Sequence, residues 1–162
     1  MAVPQFGDPE PGRAYPDRPA AFAVIERDGL IAVVRVDEPL RVARSRRGEV
    51  LDLPGGGIDP GESALAAAIR ECGEEAGLIV DLEPEPFVRA DHFFVNGKGD
   101  RHNTRGAFFA GRVAGEDPVL KIEDDHTLVW MAPCDALAGL DREAHAWAVA
   151  AWLRRRRWRA GA

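Results

Sequence analysis

Apolar and β-branched residues gather in short runs separated by Gly, Pro and charged residues. "AAFAVIER" from Ala20, "GLIAVVRV" from Gly29 and "GEVLDLP" from Gly48 read as strands by β-branched content and partial alternation. Arg27, Asp28 and Gly29 join the first two as a hairpin. "LIVDLEPEPF" from Leu78 reads as a short strand running into a Pro-broken loop. "VRADHFFV" and "TRGAFFAGRV" read as an antiparallel pair across "NGKGDRHN", and "HTLVWMAP" as one more strand. Two segments carry helical periodicity instead. Leu65, Ala68, Ile69, Cys72 and Ala76 share one face of the first. Ala144, Trp147, Ala148, Ala151 and Trp152 form a stripe along the second, with Asp141 as the expected N-cap. Helices on opposite faces of a mixed, mostly antiparallel sheet give an α/β fold, an α/β/α sandwich.

Length adds one constraint. With 162 residues the chain fits a single domain. Residues 1–19 hold several Pro and Gly and read as an irregular arm, with Phe6 and Tyr15 as anchors if it packs on a partner subunit; residues 20–162 form the domain. The net charge of −6 argues against generic nucleic-acid or acidic-membrane binding, so a polyanionic substrate needs local cations. Arg154 to Arg157 fall at the end of the last helix, where cations suit the dipole. Cys72 and Cys134 make no C-x-x-C spacing and read as reduced thiols of a cytoplasmic protein. The N-terminus lacks a signal-peptide pattern, and no apolar run is long enough to span a membrane.

The chemistry concentrates in "GGGIDPGESALAAAIRECGEEAGL", Gly55 to Leu78. Successive glycines let the backbone approach a ligand closely, and a helix is expected to start near Glu62. On a helical wheel Glu71 and Glu75 lie roughly 40° apart, with Glu74 about 60° beyond Glu71. These carboxylates flank the apolar stripe near the helix C-terminus, where like charges repel and the dipole disfavours anions. A hard divalent cation with oxygen ligands resolves that conflict.

The spacing is more specific than the patch. From Gly56, five residues lead to Glu62 and seven more to Arg70-Glu71. Cys72, Gly73, Glu74-Glu75, Ala76, Gly77 and Leu78 follow. This resembles the signature of the Nudix hydrolases, with Cys72 standing where the family usually has Ile, Leu or Val. The resemblance implies a Nudix-like α/β/α sandwich and metal-dependent hydrolysis of a pyrophosphate bond in a nucleoside di- or triphosphate derivative. It implies Mg²⁺ or Mn²⁺ as cofactor, with Glu71 and Glu75 as ligands, Glu74 as a further ligand or a base through water, and a carbonyl of Gly55 or Gly56 completing the set. Glu62 and Arg70 become the pair that ties loop to helix, Arg70 alternatively holding a glutamate in place, and Gly77 the helix C-cap.

A further acid from a later loop is expected among Glu123, Asp124 and Asp125, as ligand or general base, and the sequence does not choose. Lys98, Arg101, Arg105 and His126 are weaker candidates for substrate contact, and one ring of Phe93–Phe94 or of Phe108–Phe109 for base stacking. The downstream Pro of ADP-ribose pyrophosphatases is missing, and the only Tyr is Tyr15, so the dinucleoside polyphosphate marker is missing too. The expected partner is a nucleotide-type small molecule, with nucleoside triphosphate-type substrates slightly ahead. Neither nucleic acid nor membrane is expected, and a homodimer is possible through the arm or the final helix. The alternative is a non-catalytic nucleotide-binding sensor, which the intact charged positions disfavour.

Overall fold

The computed structural model describes residues 2–161. In chain order the elements are β1 (Gln5–Phe6), β2 (Asp17–Arg27), β3 (Leu30–Val36), α1 (Pro39–Arg44), β4 (Leu51–Asp52), β5 (Gly55–Gly57) and α2 (Ala64–Ala76). Then come β6 (Leu78–Leu82), β7 (Val88–Val95), β8 (Arg101–Glu116), a 3₁₀ turn at Pro118–Leu120, β9 (His126–Met131), α3 (Pro133–Gly139) and α4 (Glu143–Ala160).

The strands join in the order β1-β7-β8-β2-β3-β4, with β5 on β2, β6 on β8 and β9 on β3. Only β1–β7 and β2–β8 pair in parallel among the described residues. The sheet is therefore mixed and mostly antiparallel. The β2–β3 hairpin turns on Asp28 and Gly29, both at positive φ, as a right-twisted two-residue turn requires.

Strand β2 explains the layering. Ala20, Phe22 and Val24 face the α3–α4 side, while Ala23 and Ile25 face α2. Strand β3 splits likewise, Ile31 and Val33 to one side, Ala32 and Val34 to the other. A strand apolar on both faces needs cover on both, and the helices supply it, giving the α/β/α sandwich. No helix among the described residues is long and apolar enough to cross a membrane.

Several local expectations shift. Strand β2 begins at Asp17 rather than at residue 20, because Asp17 to Pro19 pair with β8. The preceding segment lies on its own chain: Phe6 packs on Trp147 and Tyr15 on Phe93, so these anchors do not wait for a partner subunit. Helices α1 and α3, absent from the sequence reading, each have Pro in the first turn, where its fixed φ and missing N–H are harmless. Helix α4 is capped by Arg142, not Asp141, whose carboxylate pairs with Arg41 instead. Its buried face centres on Ala144, Ala148 and Trp152, with His145 and Val149 beside them.

The arginine run is partly neutralised. Arg155 and Arg159 pair with Glu83, and Arg156 with Glu26.

Candidate active site

The glycines form strand β5, laid antiparallel on β2 with Gly56 opposite Ala21. Gly55 sits at φ +145°, and a Cβ there would overlap the Ala21 carbonyl oxygen. At Gly56 a Cβ would stand 2.6 Å from Glu71 Oε1. Gly55 has no room for a side chain, and at Gly56 one would press on the Glu71 carboxyl group.

Helix α2 starts at Ala64 rather than near Glu62. The Ser63 hydroxyl accepts from the Ala66 N–H at 3.1 Å, and Gly77 at φ +66° closes the helix. Its phase differs from the sequence reading: Ile69 is 41% exposed, while Ala67, Glu71 and Glu75 turn inward. The sheet side is lined by alanines, whose small side chains let the helix come close. Two carboxylates are carried in with them, Glu71 at 8% and Glu75 at 4% exposure.

Arg70 organises the acids. Its Nε and Nη2 donate to both Glu62 oxygens at 2.9 and 3.0 Å, and Nη2 also to the Gly57 carbonyl at 3.0 Å. Its Nη1 donates to Glu71 Oε1 at 3.0 Å and Glu74 Oε2 at 2.9 Å. The fork spans the loop after β5 and two turns of α2 through charge-assisted bonds. The hydrogen bonds from Arg70 hold the Glu62 carboxyl below its usual range.

Glu75 has no such cation. It accepts the Gly55 N–H at 3.3 Å. Burial, then the charges of Glu71 and Glu123, push its carboxyl well above the usual range. Burial also raises Glu71, against the pull of Arg70.

The late acid is brought in by backbone pairing. The N–H groups of Ile122 and Glu123 donate to the Glu74 carbonyl at 3.0 and 3.1 Å. Two groups of possible metal ligands result, Glu71–Glu74–Glu123 and Glu75–Glu123–His126, each with ligand atoms within 4.8 Å of one another. Glu123 is common to both. Asp124 and Asp125 are exposed and turned away from the cavity; Asp125 instead holds His126 Nδ1 at 2.8 Å. His126 Nε2 lies 3.7 Å from Glu75 Oε1. Nearly all these donors are carboxylate oxygens, which fits a hard cation such as Mg²⁺ or Mn²⁺.

This cluster forms one end of a cavity of about 450 Å³. Lys98 and His126 line it, as does Phe94. Arg101 and Arg105 do not: Arg101 pairs with Glu10 at 2.8 Å, and Arg105 with Asp91 at 3.2 Å and Asp17 at 3.6 Å. Two features escaped the sequence reading. Arg18 lines the mouth, exposed and without an ion pair to a described residue. Arg41, Asp52 and Arg142 line the cavity as well. Arg41 grips Asp52 with two bonds, at 2.7 and 3.1 Å, and reaches Asp141 at 3.3 Å, while Arg142 Nε lies 3.6 Å from Asp52. The available signal was Asp52 itself, a charge inside the apolar run from Val50 to Leu53.

A pH effect follows from the buried glutamates. Protonated Glu75 contributes stability that is fully present below about pH 4.5, the unfolded value, and is lost as pH rises through its raised folded value. A cation that replaces the proton should therefore stabilise more at pH 8 than at about pH 5, just above the unfolded value. Buried His92 and His102, held down to about 4, add the opposite slope up to about pH 6.5. That slope is common to cation-free and cation-loaded protein and cancels in the difference. The Mg²⁺- or Mn²⁺-induced rise in Tm is expected to be larger at pH 8 by roughly 2–5 °C. Thermal denaturation with and without EDTA measures it, and an increment that does not change with pH contradicts the assignment of Glu75.

The chain is similar to known proteins. The model of the NUDIX domain matches residues 16–153. An RNA pyrophosphohydrolase of Sphingopyxis alaskensis is 34% identical over 122 residues, which are 68% of this chain and 72% of that protein. A Bacillus subtilis protein named "Putative 8-oxo-dGTP diphosphatase" is 31% identical over 115 residues, 70% of this chain and 65% of that one. The solution structure of the E. coli ORF135 protein superposes with a TM-score of 0.61 at 25% identity, covering 88% of this chain and 92% of that one.

Proposed function

The chain belongs to the Nudix hydrolase family, and from that premise we propose that it cleaves the pyrophosphate bond of a nucleoside triphosphate-type substrate at the Glu71–Glu75–Glu123 cluster. The reaction class is that of a Nudix-type pyrophosphohydrolase. The observation that carries the reading is one cavity lined by the buried carboxylates Glu71 and Glu75 and by the cations Arg18 and Lys98. A diphosphate spans such a site with its reacting phosphorus at the acids and its outer oxygens near Arg18 and Lys98.

Glu71, Glu75 and a carbonyl of Gly55 or Gly56 would hold Mg²⁺ or Mn²⁺, with Glu74 as a further ligand. When bound, the cation supplies positive charge that screens the phosphate oxygens and lowers the pKa of the attacking water. Arg70 keeps Glu71 and Glu74 in place through its Nη1 bonds. Glu123 is the general base. Arg70 engages the Glu74 carboxylate, whereas the Glu123 carboxylate has only His126 Nδ1 beside it among the described residues, at 3.1 Å, and can accept a proton from water. His126 positions it. The names of both relatives describe cleavage of a pyrophosphate linkage, and they support the reaction rather than one substrate.

The test is phosphate or pyrophosphate release from nucleoside triphosphates, dinucleoside polyphosphates and nucleotide sugars, with Mg²⁺, with Mn²⁺ and with EDTA. Release is expected from the triphosphates, and only with a cation. Tight nucleotide binding with no release from any compound would establish the sensor reading instead, and full activity in EDTA would remove the metal.

A further inference from the structure

Arg41, Asp52 and Arg142 also line the cavity and have no role assigned in the hydrolysis described above, yet they are buried charge. Asp52 is shared by two guanidiniums. Arg41 takes both of its oxygens and has Asp141 as well. Arg142 is left with one 3.6 Å approach through Nε, too long for a hydrogen bond. Its Nη1 and Nη2 make no hydrogen bond to a described residue, although the side chain is only 12% exposed and lines the cavity. Its Cζ stands 3.5 Å from the centre of the Phe94 ring, which fixes the fork in place. Burial lowers Arg142 to about 10, against the pull of Asp52, so the group remains a cation at neutral pH.

The neighbours point the same way. Thr104 Oγ1 lines the cavity, buried and without a partner. His102 lines it too, held neutral by burial and then by the nearby Arg18 and Arg142. Asp52 is already occupied by Arg41; Glu38, 4.0 Å from Arg41 Nε, and Asp100 line the cavity as well. Neutral His102 and the Thr104 hydroxyl can each donate or accept, whereas the Arg142 fork only donates. A buried, preformed, underused guanidinium fork matches a planar group that presents two adjacent acceptors. Among nucleobases that is the O6/N7 edge of guanine. Adenine replaces O6 with an amino donor, which would face the cation.

We propose that Arg142, seated on Phe94 and flanked by Thr104 and His102, is the specificity-determining residue of this enzyme and selects guanine nucleotides by their O6/N7 edge. The proposal rests on the nucleoside triphosphate reading and narrows it to one base. Guanine oxidised at C8 carries a hydrogen on N7 and loses one of the two acceptors, so the fork favours the unmodified base.

The experiment compares dGTP, 8-oxo-dGTP, dATP and dCTP as substrates of the full chain and of Arg142→Gln and Arg142→Lys. It adds binding of GMP and AMP to wild-type protein in EDTA. Wild type is expected to prefer dGTP over dATP by roughly 10- to 100-fold in kcat/KM, and to bind GMP more tightly than AMP. Arg142→Gln is expected to erase that ratio, with the loss falling mainly on dGTP rather than on dATP. Arg142→Lys, which keeps the charge without the fork, should recover only part of it. A purely structural role would lower all substrates alike, and reading of an outer phosphate would lower all triphosphates alike; either result overturns the proposal. So does a preference for 8-oxo-dGTP. If Arg142→Gln does not fold, the GMP and AMP affinities of the wild type decide, and equal affinities overturn it. Absence of hydrolysis with GMP still preferred would instead strike the hydrolase reading and leave the base reading standing.

Discussion

Glu75→Gln is expected to lower kcat/KM by about 10³-fold or more while leaving the metal-free protein at least as stable as wild type. The two halves of this result have one cause. Glu75 is 4% exposed, hydrogen-bonded to the Gly55 N–H, and set against the charges of Glu71 and Glu123. Without a cation the ionised carboxylate is buried and uncompensated, which opposes folding. Glutamine keeps the shape and the acceptor oxygen for Gly55 but carries no charge. It removes the repulsion and, with it, a strong oxygen ligand. Phosphate release with Mg²⁺ or Mn²⁺ measures the first half, and thermal denaturation in EDTA the second. Activity within about tenfold of wild type would show that Glu75 is not a ligand. Glu71→Gln should behave differently in stability, because Glu71 is already partnered by Arg70 at 3.0 Å.

The opposite pattern is expected at Asp52. Its replacement by Asn should destabilise the fold by about 3–5 kcal/mol, because removing one partner of a buried pair leaves the other charge uncompensated. Here two guanidiniums lose their shared carboxylate, Arg41 with its two bonds and Arg142 nearby. For a chain of this size the loss lowers Tm by about 10 °C. Burial alone would raise the Asp52 carboxyl, but Arg142, Arg41 and His145 together hold it well below the usual range. The stabilisation is therefore fully present above about pH 3.8, the unfolded value, and lost as pH falls below it. Wild type and Asp52→Asn should differ at pH 5 and 7 and converge in strong acid. Equal melting temperatures at pH 7 would mean that the network contributes nothing to folding.

The layers and the acidic cluster of Gly56–Leu78 are legible in the sequence for different reasons. Strands β2 and β3 are dense in β-branched residues, and the acidic spacing of α2 is local, so both survive without tertiary information. The helix phase does not. Ile69 looks like core and faces solvent, because sheet contact selects the alanine side of α2. The late acid was narrowed to three residues and no further. The choice of Glu123 depends on N–H groups of one segment meeting the Glu74 carbonyl of another. Arg41, Asp52 and Arg142 were invisible as a group because they come from α1, β4 and the cap of α4. In sequence they are ordinary charges, and proximity alone makes them a wall. Asp141 shows the same limit. It reads as a cap by local rules, and a distant arginine claims it.

The parallel pairing of β2 with β8 has a consequence for synthesis. Asp17 to Glu26 find their partners only at Asn103 to Arg112, so the central strand must wait for most of the chain to leave the ribosome. Contacts of such long sequence separation slow folding and prolong exposure of apolar segments. Until then β2 has only its hairpin with β3 and the short β5 on its edge. Helix α2 can form early, but Glu123 arrives after β8 is in place. Nascent chains stopped short of residue 123 would therefore carry the glutamate helix without the last carboxylate of the cluster.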